Sequence, residues 1–589
     1  MANHCETFTR AALILLTVSM LISCRQSSPI PPKVDLDQIV IRLQAEPETL
    51  SPILAESSQA REAYQYIFLN LANYDYQTLE LKPVLIEALP EGALQDGGPY
   101  DGFISYKMEM RDEAVWTDGS PVTGYDVATT YKIASHPGIE SPAWKQLLGE
   151  IKDVVVDADN PKSFTIYASD SYFLNKEALL SAEIYPRYIF DSDGALDNIS
   201  LDEVKDAASS ERLLSEATFQ KVARQFSSVE YNKEKPDGAG PYYLEKWETG
   251  QYLVLKRKEN YWGQKFSDID QLQTYPDRIV LQIIKDETTA LTLLKNDEID
   301  LIDFSRVPIA QYEELKSDVD FANQYAFSNA QLQRYYYLIL NNEDERLADL
   351  SVRKAIGRLV NTDRMMDQLE GGYGTKSNSI IHFSKPEYNK DLPYIDYNPE
   401  EAVSILESAG WIDSDDNGIR DKVINGRKEE LSFRFHITGS FLSTSVSNIV
   451  KEACSNAGIE IEIIEKPWPP TRSENLVTGD FEMLVSRRTQ SPVKDDPYIY
   501  YHSSSVGKGG ANYARYSNPE ADKHMELIRT TKDETIRRKA YMDLQEVIFE
   551  DEPVVFIYSP QLRVIHDKDI TPVISSKRPG YFVNLDASL

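Results

Sequence analysis

Few residues in this chain stand at spacings that do chemistry. Asp413-Ser414-Asp415-Asp416-Asn417-Gly418 matches the first half of a calcium loop, D-x-D-x-N-G, whose oxygens would ligate a hard cation. The bidentate acid that completes such a loop at its twelfth position is missing, because residue 424 is Ile. The same run reads as an Asx-rich turn between a helix ending at Gly410 and the next strand. The missing acid favours the turn, and calcium binding stays open. Catalytic spacings are absent: there is no G-x-S-x-G elbow, no H-E-x-x-H, no paired C-x-x-C, no Walker loop and no G-x-G-x-x-G. The seven histidines are scattered. Of three cysteines, Cys5 lies in an N-terminal leader and Cys454 stands alone as a small buried apolar residue. Three are too few for a disulfide framework. The residues therefore predict no enzyme, no metal and no cofactor.

Cys24 has another reading. Ala11 to Ile22 is an almost wholly apolar run preceded by Arg10, long enough for a signal-peptide core and too short for a bilayer span. It ends Leu21-Ile22-Ser23-Cys24, which resembles a bacterial lipobox. That pattern implies lipidation of Cys24 and residues 1–23 as signal peptide. An ordinary secretory signal or membrane anchor is the alternative. Residues 24–36, with Arg25-Gln26-Ser27-Ser28-Pro29-Ile30-Pro31-Pro32, form a polar, proline-rich tether. The expected location is the periplasmic side of a bacterial cell envelope.

The elements that position any site are mixed. The chain has 589 residues, 41% hydrophobic, enough for three or four lobes with real cores. Its net charge of −32 argues against a nucleic-acid partner, since phosphate would be repelled. Ile104, Tyr106, Met108 and Met110 alternate with polar residues and predict a half-buried strand. Thr123 and Asp126 cap a helix starting near Tyr125. Val352, Ala355, Ile356, Leu359 and Val360 make one apolar helix face. Asn398-Pro399-Glu400-Glu401 and Asn518-Pro519-Glu520 are helix starts. Ile536, Ala540, Leu544 and Ile548 give another helix, and Pro553 to Tyr558 reads as a strand.

Several segments together resemble the family 5 extracellular solute-binding proteins, which serve ABC importers of peptides, nickel chelates and some oligosaccharides. Gln44 to Pro52 resembles the family's opening strand and turn, with Ser51 where Asp is usual. Tyr106 to Arg111 followed by Trp116-Thr117-Asp118-Gly119-Ser120-Pro121 resembles its strand and D-G-x-P turn. Gly238-Ala239-Gly240-Pro241-Tyr242, with Asn260-Tyr261-Trp262-Gly263, resembles its G-x-G-P-Y and Y-W-G pair. Asn296 to Leu301, Leu340-Asn341 with Asp349 to Ile356, and Ala409-Gly410-Trp411 follow in order.

The resemblance implies an α/β, two-lobed periplasmic-binding-protein fold (type II, cluster C) with an extra inserted domain. Mapped onto this chain, lobe I is 37–70, 210–300 and 553–589, the inserted domain 71–209, and lobe II 301–552. It implies a monomer that closes on a peptide or other small solute and presents it to a permease. The membrane is touched through the lipid alone. A ligand-sensing or peptide-holding lipoprotein without an importer, or a binder of an oligosaccharide or metal chelate, would use the same cleft. Implied cleft residues are Glu56 with Ser57 and Ser58, Trp144, Trp468 and Tyr558. The W-x-x-D-Y segment of oligopeptide-binding members, whose aspartate pairs with the peptide's amino terminus, is replaced here by Arg487 to Pro497. Its tryptophan is absent, and Pro492 or Val493 stands where the aspartate belongs. Asp495 or Asp496 is one substitute; alternatively Arg487 and Arg488 meet a carboxylate or other anion bidentately.

Overall fold

Three sheets organise the chain, each built by a different part of it. In a computed structural model, residues 38–583 are described, apart from 171, 304–308, 493 and 508–509. The leader, Cys24 and the whole tether, within residues 1–37, and also Val493, lie outside the described residues. Among those described, seven strands form the first sheet, in the order Tyr325–Ala330, Leu562–Asp567, Leu301–Asp303, Gln38–Leu43, Arg278–Ile283, Tyr252–Arg257, Tyr242–Glu248. Gly238 and Gly240 lead into its last strand. A Cβ on Gly240 would lie 2.6 Å from the Ile67 carbonyl oxygen, which instead accepts the Gly240 amide at 2.8 Å. That close approach is the physical content of the G-x-G-P-Y run.

The second sheet has the order Glu460–Glu465, Ser432–Ile437, Met483–Thr489, Arg334–Leu340, Val554–Phe556. Ser432–Ile437 and Glu460–Glu465 are parallel, joined by the helix Phe441–Asn456. Both faces are covered. Leu338, Leu340, Met483 and Val485 pack in one core, while Tyr335, Tyr337, Ile339 and Leu484 pack in the other. Cys454 is fully buried in the first of these, and burial pushes its thiol up to about 12.

A four-stranded antiparallel sheet, Gly92–Leu94, Phe103–Glu109, Ser163–Ser169, Ile151–Val156, marks the inserted region. Its core is continuous with that of the first sheet. The helix Gly124–Ser135 starts where its cap predicts: the Asp126 carboxylate accepts the Thr123 amide at 2.7 Å and hydroxyl at 3.0 Å. Asn398 and Asn518 cap the helices Pro399–Ser408 and Pro519–Thr530. No helix among the described residues is long and apolar enough to cross a membrane.

The chain changes sheets later than expected. Leu301–Asp303 and Tyr325–Ala330 still belong to the first sheet, so the crossing lies at 331–333 and not at 300. The reason is long-range: Leu301 pairs in parallel with Ile41, and the Asp300 carboxylate accepts the Val40 amide at 2.7 Å. The return crossing also moves, because Val554–Phe556 pairs with Arg334–Leu340 in the second sheet. The strand expected over 553–558 divides there, and Tyr558–Ser559 pairs with Thr375–Lys376 instead. The two crossings are tied together, with Gln331 Nε2 donating to Ser559 Oγ at 3.0 Å.

Candidate functional site

Beside these crossings lies a cavity of about 370 Å³ with walls from both sheets. Its first wall is the helix Ser58–Tyr64. Ser57 caps that helix, its hydroxyl accepting the Ala60 amide at 3.1 Å. Helical spacing sends Ala60, Ala63 and Tyr64 to the core and leaves Ser58, Gln59, Arg61 and Glu62 on the cavity. Arg42, Asp303 and Arg563 come from the first sheet, Gln44 from just past its strand Gln38–Leu43, and Arg578 and Tyr581 from the C-terminal segment. Across the cleft, Arg334, Tyr336 and Arg487 come from the second sheet, with Glu370 and Phe441 nearby.

The cavity is cationic in an acidic protein. Six of its lining residues are arginines, against the carboxyl groups of Glu62, Asp303 and Glu370. Two arginines are occupied structurally. Arg42 donates from Nε to the Ile284 carbonyl at 3.0 Å and pairs with Glu287. Arg563, 1% exposed, meets Glu370 at 3.2 Å. Burial pushes the Glu370 carboxyl up to about 7, against the pull of Arg563 and the Tyr558 hydroxyl. Burial, then the charge of Asp303, pushes Glu62 up to about 8, against a weak 3.4 Å bond from the Tyr581 hydroxyl. Arg578 is held down to about 10, by burial and by the guanidiniums of Arg61, Arg334 and Arg487.

A second, larger cavity of about 770 Å³ lies between residues 143–181 and residues 491–529. Tyr172 and Glu177 line one side, and Asp495, Asp496, Tyr498 and Arg529 the other. Arg529 bridges it: Nε lies 3.2 Å from Asp496, and the guanidinium sits over the rings of Tyr172 at 4.9 Å and Tyr498 at 4.4 Å.

The expected site residues divide. Ser58 and Arg487 line the first cavity, and Asp495 and Asp496 the second. Glu56 is exposed and lines neither; its amide, with that of Ser57, is bound by the Glu48 carboxylate at 2.6 and 3.0 Å. Trp144 is 8% exposed, donates to the Pro52 carbonyl at 3.2 Å and packs in the core. Trp468 is 43% exposed and lines neither cavity. Tyr558 is buried behind the first cavity, its hydroxyl donating to Glu370 at 3.2 Å. Arg487 and Arg488 cannot act together, because neighbours on a strand face opposite ways. Arg487 shares the face of Met483 and Val485 and reaches the cavity. Arg488 turns into the other core, pairs with Asp495 and lies over the Tyr500 ring at 4.0 Å. Asp495 also accepts from Gln490 Nε2 at 2.8 Å. These two expected ligand contacts thus satisfy each other.

The Asp413 loop is a turn after Gly410. Asp413 accepts the Asn417 and Gly418 amides at 3.1 and 2.9 Å. The Lys428 ammonium lies 2.6 Å from Asp415 and 3.3 Å from Asp421, where a cation would otherwise be held.

Residue patterns overlooked Arg61, Glu62, Arg334, Glu370, Arg563 and Arg578. One signal was present: Arg563 interrupts the strand Leu562–Asp567, every residue of which is buried. A buried charge at such a position needs a partner.

The sequence profile of the bacterial extracellular solute-binding proteins, family 5 (middle region), matches residues 99–510. The chain belongs to that family. Among its family 5 relatives, the oligopeptide-binding protein AppA of Bacillus subtilis is 25% identical over 533 residues, covering 89% of this chain and 86% of that protein. The nickel-binding periplasmic protein of Escherichia coli is 24% identical over 445 residues, 75% of each chain. Among solved family 5 structures, NikA from Brucella suis in complex with Fe(III)-EDTA has a TM-score of 0.72 at 18% identity, covering 93% of this chain and 99% of that one. AppA in complex with a nonapeptide has a TM-score of 0.68 at 22% identity, covering 93% and 98%. The fold is the two-lobed α/β fold of these binding proteins.

Proposed function

We propose that this chain is the solute-capturing component of an ABC importer. A peptide or related small solute enters between the lobes, which close about the crossings at 331–333 and 557–561, and a permease reads the closed form. The observation that carries this reading is the cavity beside the crossings, with one wall from each lobe. The names of the relatives, oligopeptide-binding and nickel-binding, support capture of a small solute. One chain supplies both walls, so a monomer suffices. A lipid on Cys24 would hold it at the periplasmic face of a membrane, with 24–36 as tether. The lobes then follow the sheets: the first takes 38–70, 210–330 and 562–583, the second 334–556, and 71–209 forms the inserted domain.

The test is native mass spectrometry of the purified chain, followed by gentle denaturation to identify what it releases. One small-molecule class at one per chain is expected. A ligand present at a hundred times its Kd also stabilises the fold by about 2.7 kcal/mol, visible as a rise in Tm. A chain that carries no solute, and whose Tm is unmoved by peptide, oligosaccharide and metal-chelate panels, would end this reading.

A further inference from the structure

The charge of the cavity deepens the proposed function, and the following rests on that reading of the cavity. Arg61 and Arg578 reach it from the first lobe, Arg334 and Arg487 from the second. They stand close enough for Arg61, Arg334 and Arg487 each to disfavour the charge on Arg578. Among the described residues, Arg61, Arg334 and Arg578 make no ion pair; Arg334 donates to the Thr489 hydroxyl at 3.0 Å, and the charge of Glu183 reaches Arg61 at longer range. The carboxyl groups of the same cavity do not supply the missing partners. Glu370 is engaged by Arg563 and Tyr558, and Asp303 accepts from Gln44 at 3.2 Å. Glu62 faces Tyr581 and is driven towards its neutral form by burial and Asp303.

Such a cluster is unexpected in a chain of net charge −32. Around Arg578 the cost is plain: burial and the three other guanidiniums disfavour its charge, and an anion in the cavity would offset that. The four arginines also straddle the cleft, two from each lobe, so their repulsion opposes closure of an empty site. A lone terminal carboxylate pairs with one guanidinium, or two at most, and so cannot meet Arg61, Arg334 and Arg578 together. We propose that the solute taken by this cavity carries at least two carboxylate or phosphate groups, and that its pairing with arginines of both lobes is what permits closure.

The test is calorimetric titration of the full chain, purified in mild detergent and stripped of bound solute, with citrate, pyrophosphate, Glu-Glu-Glu and Ala-Ala-Ala. At least one polyanion is expected to bind ten times or more tighter than Ala-Ala-Ala. Which one binds identifies the source as a free polycarboxylate, a phosphate compound or an acidic peptide. Arg334→Gln and Arg578→Gln should each weaken that binding tenfold or more, while the Tm of the empty protein stays equal or rises. That last readout separates lost pairing from lost folding. Ala-Ala-Ala binding as tightly as the polyanions, or polyanion binding unmoved by both substitutions, would overturn the proposal. So would failure of all three polyanions. A neutral solute released in native mass spectrometry would overturn it too, while leaving solute capture standing.

Discussion

Arg488 and Asp495 form a buried ion pair, with side chains 3% and 10% exposed. Removing one member strands the other's charge away from water. Arg488→Met should therefore destabilise the fold by about 3–5 kcal/mol in urea titrations. Adding Asp495→Leu should restore most of that loss, because an apolar pair of similar volume often replaces a buried ion pair without penalty. A double variant as unstable as the single one would refute the buried-pair account. The tryptophans separate in the same way. Trp144→Ala opens the core and should cost about 3–5 kcal/mol, whereas Trp468→Ala should change stability by less than about 0.5 kcal/mol. Glu62 supplies a pH effect. Its folded pKa of about 8 stands above the ordinary value of 4.5, so between these the folded chain holds a proton that the unfolded chain releases. Its contribution is fully present below pH 4.5 and is lost as pH rises through 8. Other groups titrate in that window, including Lys577, lowered by burial to about 7 with the opposite sign, so the informative quantity is a difference. The Tm of the native chain should fall relative to that of Glu62→Gln between pH 5 and 8.5, and parallel profiles would reject the assignment.

At the scale of elements, what was legible in the sequence is what short stretches decide. The caps at Asn398 and Asn518 and the apolar face of the helix Leu350–Leu359 appear where the residues put them, because a cap bonds amides two or three residues on. Sheet membership was not legible. Leu301–Asp303 joins the first sheet through a strand some 260 residues earlier, and no local pattern carries that pairing. The cavity shares this property, since Arg61, Arg334, Arg487 and Arg578 meet only after the lobes are assembled. The family resemblance supplied the architecture but located few of the cavity's residues. One contact between elements makes its own prediction. Arg529, at the end of the helix Pro519–Thr530, holds Asp496, Tyr172 and Tyr498, and its carbonyl accepts the Phe173 amide at 3.2 Å. Ion pair and ring contacts together amount to about 1–2 kcal/mol. Arg529→Ala should raise amide hydrogen exchange roughly 5–30-fold in 172–175 and 494–500, leaving strand amides of the second sheet unchanged. Equal acceleration in both places would mean global destabilisation and not a local latch.

Over the whole molecule, two repulsions act on the cleft. The chain carries 94 acidic against 62 basic side chains, a repulsion spread over its outer surface, and on the proposal above the four arginines add one from within the cleft. Salt screens both, the Debye length falling from about 30 Å at 0.01 M to about 3 Å at 1 M. Small-angle scattering can separate them. A compact chain of this length has a radius of gyration of about 25 Å, and an open cleft adds to it. The empty chain should contract as salt is raised, but that alone does not say which repulsion has been screened. The variant carrying both Arg334→Gln and Arg578→Gln decides. It makes the molecule more negative, so the outer repulsion grows while the inner one shrinks. If the arginines hold the empty cleft open, the variant will be smaller than the native chain at 0.01 M salt and will contract less on going to 1 M. If the surface charge governs the opening, the variant will be as large or larger and will contract at least as much. The first result would make the solute's charge a working part of closure; the second would leave the arginines as ligand contacts only.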